Sequence, residues 1–76
     1  MAIREFDTVV LAHDLPDLSL KAGDVGAVVH VYPGGDAFEV EFVAGEGETV
    51  ALATLKRTDI RPMRNQEILH VRALAA

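Results

Sequence analysis

The sequence predicts a small all-β domain. Two observations carry that prediction: short β-branched and apolar runs recur between turn signals, and one of those runs alternates apolar and acidic residues with period two. A third sets the scale, because 76 residues make one domain at most. Such a domain buries only about 60% of the surface its unfolded chain exposes, too little for both a full core and a deep substrate pocket.

The first strand is expected at Thr8-Val9-Val10-Leu11-Ala12, after Phe6-Asp7. A long polar loop follows over 14–21, where Leu15, Leu18 and Leu20 can pin it to the body. Lys21-Ala22-Gly23-Asp24 turns the chain into a second strand, Val25–Tyr32, whose Gly26 predicts a bulge or a close backbone approach. Pro33-Gly34-Gly35-Asp36 is the strongest hairpin signal. Phe38-Glu39-Val40-Glu41-Phe42 then reads as a half-buried third strand with its carboxylates outward. After the turn Ala44–Gly47 comes a fourth strand, Glu48–Leu55, then a 3₁₀ turn at Lys56–Asp59 and a last short strand before Pro62.

Five strands in this order, with a long first loop and a 3₁₀ turn before the last, predict an SH3-like barrel over residues 1–62. Residues 63–76 form a C-terminal segment packing on the barrel or on a second copy. Within it Ile68–Arg72 alternates like a sixth strand, and Ala73–Ala76 suits a short helix. The expected core is Val9, Leu11, Val29, Val31, Phe38, Val40, Phe42, Val50 and Leu52, with Phe6 also inside.

Composition narrows the function. Half the residues are apolar and 25% are charged, as in a globular domain. There is no cysteine, which excludes disulfides and thiolate metal sites and fits a reducing compartment. No h-region opens the chain and no apolar run approaches a membrane span, so the expected location is cytoplasmic. The net charge of −5 divides into −8 over residues 1–55 and +3 over residues 56–76. An acidic body with a basic tail suits charged partners, including copies of itself.

Gly23-Asp24-Val25-Gly26-Ala27-Val28, entering the second strand, resembles the Gly-Asp-x-Gly-x-Val motif of KOW-type and other SH3-like domains. Over most of residues 6–72 the chain resembles a family of small bacterial proteins grouped as a domain of unknown function. The matching stretches are Asp7–Leu11, Leu20–Gly26, Val29–Tyr32, Phe38–Phe42, Leu55-Lys56 and Ile68–Arg72. That resemblance implies an SH3-like fold and no assigned activity.

The residues offer little chemistry. His13, His30 and His70 stand 17 and 40 residues apart, unlike the close spacing of a zinc site, and His30 and His70 read as outward strand residues. The sole serine, Ser19, lies in a polar loop, and Pro33-Gly34-Gly35 joins strand to strand, so it offers no helix N-terminus to a phosphate. No catalytic residue, metal or cofactor is expected. Glu39, Glu41, Glu46 and Glu48 gather on adjoining hairpins, first as a solvated face and next as a surface for a basic partner.

The reading is therefore a non-enzymatic protein–protein interaction module. Its expected contact residues are Glu39, Glu41, Glu46 and Glu48 with the apolar Ile68, Leu69 and Val71 of the tail. Tail exchange in a homodimer is expected beside a tail that covers its own barrel. One alternative is a KOW-like nucleic-acid domain using Lys56, Arg57, Arg61 and Arg64, opposed by the acidic body and the lack of stacking aromatics beyond Tyr32. Another is the binding half of a two-protein system that neutralises a basic enzyme.

Overall fold

The computed structural model describes residues 2–74. Its strands are β1 (Thr8–Leu11), β2 (Val25–Val31), β3 (Ala37–Val43), β4 (Thr49–Lys56) and β5 (Ile60–Pro62). They form one antiparallel sheet in the order β4-β3-β2-β1-β5. The domain is thus all-β, as its alternation predicts. β4 and β5 are the sheet's two edges, yet Ala53 and Leu55 of one and Ile60 of the other enter the same core. The sheet therefore curls around its core without closing into a hydrogen-bonded barrel.

Turn chemistry fixes the path. Gly34 and Gly35 take the positive φ values of 92° and 72° that the β2–β3 hairpin requires. Gly26 lies where β2 crosses β3: a Cβ there would stand 2.7 Å from Val40 Cγ1 and 2.9 Å from Phe42 Cε2. This is the close approach its place in a strand predicts, while the bulge in β2 falls later, between Val28 and His30. Lys56–Asp59 is the expected 3₁₀-type turn, closed by Asp59 N–H on the Lys56 carbonyl at 2.9 Å, and a further 3₁₀ helix lies at Pro16–Leu18 in the long first loop.

The core differs from the expected one in its register. Val9, Leu11, Phe38, Val40 and Phe42 are buried as expected, and Val31 packs against them. In β2 the bulge shifts the alternation, so Val28 is fully buried and Val29 only half so. In β4 the inward residues are Ala51, Ala53 and Leu55, whereas Val50 and Leu52 face solvent. The cause is pairing: Phe38, Val40 and Phe42 lie opposite Leu55, Ala53 and Ala51, and directly opposed residues share a face. Phe6 is 79% exposed, because it sits at positive φ in the turn Arg4–Asp7, and Ile3 enters the core instead. Of the loop leucines, Leu20 is buried, Leu15 half-buried and Leu18 exposed.

Ile68–Arg72 forms no strand, and Ala73 and Leu74 form no helix. Ala75 and Ala76, the rest of that helical expectation, lie outside the described residues. No helix is long and apolar enough to cross a membrane.

Candidate functional site

The outer face of β3 carries the first two acidic candidates. Glu39 accepts hydrogen bonds from Thr54 Oγ1 at 2.6 Å and Tyr32 Oη at 3.2 Å, and Glu41 accepts one from Thr49 Oγ1 at 2.7 Å. Neutral hydroxyls orient these carboxylates without cancelling their charge, so the face stays acidic. Tyr32 is held edge-on against His30, with ring centroids 4.7 Å apart. Glu46 and Glu48 are exposed in the β3–β4 connection. Leu52 lies across from Glu41 and adds exposed apolar surface to the face.

The C-terminal segment is held at two points, both ionic. At its base, Arg61 donates to both carboxylate oxygens of Glu67, at 2.8 and 2.7 Å, and the Arg64 N–H adds a third bond at 2.6 Å. The Arg61 fork and then that N–H hold the Glu67 carboxyl down at about 2. Further on, Arg72 forks onto Asp24, Nε to Oδ1 at 2.7 Å and Nη2 to Oδ2 at 2.6 Å, and also donates to the Ser19 carbonyl at 3.2 Å.

Asp24 was shaped for this partner by local structure. The Lys21 N–H donates to Oδ2 at 2.9 Å, and the Asp24 carbonyl accepts the Leu11 N–H of β1. Ser19, closing the 3₁₀ helix at φ 58°, directs its carbonyl to the same spot. Asp24 is the sole buried charged side chain among the described residues, 8% exposed, and the guanidinium of Arg72 lowers its pKa against the opposing effect of burial. His70 Nε2 stands 3.9 Å from the same carboxylate. Beside the pair is a cleft of about 270 Å³ walled by Leu20, Val25, Phe42 and Val50 on one side and by the tail residues His70, Val71 and Leu74 on the other.

Between and beside these anchors the apolar residues of the segment point away. Ile68 is 92% exposed, Val71 91% and Leu69 63%. The structure thus brings the three expected tail residues together on one exposed stretch. Their charged neighbours Glu67 and Arg72 take the hydrogen bonds to β5 and to the loop and turn before β2.

The four basic candidates do not make one free patch. Arg57 donates to the Gly35 carbonyl at 2.9 Å and lies 4.0 Å from Asp36, while Arg61 is taken by Glu67. Lys56 and Arg64 are exposed. His13 Nε2 meets Asp59 Oδ1 at 2.7 Å, beside a second bond to the Asp14 carbonyl, and these partners raise its pKa. Among the described residues, no group of three or more His, Asp or Glu is placed to hold a metal ion.

Asp24, Arg72 and Glu67 are absent from the sites expected from sequence. Asp24 sits in the Gly-Asp motif itself, but its partner is 48 residues away and no local pattern joins them.

Residues 5–62 match the model of a family described as a domain of unknown function, DUF4926, and the chain belongs to that family. The matched span runs to the last residue of β5, so it includes Ser19 and Asp24 and leaves out Glu67 and Arg72. No curated protein and no solved structure matches the chain.

Proposed function

We propose that the chain is a non-enzymatic protein–protein interaction module whose contact surface combines the C-terminal segment with the acidic face of β3 and β4. One observation carries the reading: the segment is fastened by its charges while Ile68, Leu69 and Val71 face solvent. A tail that only covered its own sheet would turn those side chains inward, since each gains about 1.5–3 kcal/mol on burial. Ordered apolar side chains left in water are a surface for a partner. The hydroxyl-braced Glu39 and Glu41, with Glu46 and Glu48, give that partner's basic groups an acidic counterpart. On this reading the alternative role, neutralising a basic enzyme, uses the same surface.

The nucleic-acid alternative ranks lower, because Arg57 and Arg61 already have acceptors within the chain. Tail exchange in a homodimer would make the same Arg72–Asp24 pair between two copies. We take the compartment to be the bacterial cytoplasm, in keeping with a chain that contains no cysteine. A photo-reactive residue at position 71, introduced into the full chain in living cells, tests the proposal. A discrete heavier adduct is expected there and not with the same residue at position 58, and it should weaken when Ile68 and Leu69 become Ser. Adducts of equal yield from both positions, or none from position 71, would sink it.

A further inference from the structure

We propose that the Asp24 carboxylate and the Ser19 carbonyl form an arginine-recognition site of the domain, occupied in cis by Arg72, and that in trans it takes an arginine on an extended segment of a basic partner protein. The inference rests on the interaction-module reading and adds how the partner is gripped.

The acceptors of the site are positioned by contacts within residues 11–24. The Lys21 N–H fixes one carboxylate oxygen, two backbone bonds to Leu11 pin the turn to β1, and Ser19 aims a carbonyl at the second nitrogen of a guanidinium. A planar fork that satisfies a buried carboxylate and an adjacent carbonyl together is the geometry of arginine, which an ammonium cannot reproduce.

The cis occupant is separable from the site. Among the described residues beyond the Glu67 clip, the tail's hydrogen bonds to the sheet and its loops come from Arg72, while Ile68, Leu69 and Val71 remain largely in water. A latch held by one head group is displaceable by a second segment bearing the same group.

Charge selects the source of that segment. Residues 1–55 carry −8, a field that draws a basic segment toward the cleft. A second copy of this chain would bring its own net −5 with it. A basic partner brings no such repulsion.

The probe is a synthetic peptide of residues 66–74, with two counterparts carrying Lys or Gln in place of Arg72. It is titrated into full-length wild type, R72Q and D24N by chemical-shift perturbation of the Ser19 and Lys21 amides. Asn at 24 keeps an oxygen for the Lys21 N–H, so the turn stays closed. R72Q should bind the arginine peptide about tenfold more tightly than wild type, given a tethered competitor at ~1 mM and a peptide Kd of ~0.1 mM. The Lys and Gln peptides should bind R72Q more weakly, and D24N should not respond.

Equal binding of the Arg and Gln peptides to R72Q, or no binding, would overturn the site, and that comparison needs no variant at Asp24. Equal binding to wild type and R72Q would overturn the cis occupancy. Wild type that dimerises with rising concentration, and loses this in R72Q, would assign the ligand to a second copy and overturn the foreign partner. Peptide binding without a crosslink at position 71 would remove the tail surface and leave this site standing. A crosslink without peptide binding would do the reverse.

Discussion

The sheet and the C-terminal segment are similarly rich in apolar residues but use them in opposite ways. In β3 every second side chain is buried and the charges face water; between Glu67 and Arg72 the charges touch the protein and the aliphatic side chains face water. The sheet is therefore held by the area it removes from solvent, the segment by hydrogen-bonded ion pairs. The two should respond to different perturbations. Deleting methylene groups should unfold the first and leave the second indifferent, whereas removing one guanidinium should free the second and leave the first intact.

The largest expected effect falls in the sheet. Phe42 is buried against Gly26, and Phe42→Ala should cost about 3–5 kcal/mol in chemical denaturation, much of the stability such a domain possesses. Val71→Ala, which removes two methyl groups from the exposed segment, should stay within about 0.5 kcal/mol of the parent. A shared loss of several kcal/mol would erase the distinction.

A second contrast lies within one strand. Leu55→Ala should destabilise by about 2–5 kcal/mol and Leu52→Ala by less than about 0.5, because only Leu55 faces the core. The reverse order would return β4 to the register its hydrophobicity alone predicts.

That strand marks where sequence reasoning ran out. β3 was legible because its alternation is complete: Phe38, Val40 and Phe42 inward, Glu39 and Glu41 outward. β4 has apolar residues at both parities, so its face is decided by its pairing with β3, which no local pattern reveals. β2 misled through its bulge, which moves Val28 inward and breaks the alternation of Val29 and Val31. The candidate surface was half legible. Ile68, Leu69 and Val71 stand out as too apolar for a solvated tail, but the anchors that present them join Arg72 to Asp24 and Ser19 across 48 and 53 residues. Side-chain forks between distant loops leave no periodicity to read.

The smallest expected effect concerns His13, which ties the long first loop to the turn before β5 through Asp59. Its pKa is raised above 6.5 in the folded chain, so its contribution is complete below about pH 6.5 and fades as pH rises through the folded value. The lowered pKa of Asp59 sets the acid limit, since that contribution goes as pH falls through the folded pKa of Asp59, below 3.8. His13→Gln should therefore melt slightly below the parent near pH 5 and together with it near pH 9. A deficit that grows with pH would contradict the pairing.

The most direct test of the ionic latch is the ¹H–¹⁵N heteronuclear NOE of Val71, measured in wild type and in full-length Arg72→Gln at equal pH and salt. In wild type the value should approach those of β3 and β4. In the variant it should fall toward that of a free terminus, while the amides of Phe38, Val40 and Phe42 keep their wild-type values. A Val71 that stays equally ordered after the guanidinium is gone would contradict the account, because something other than the Asp24 contact would then be holding the segment in place.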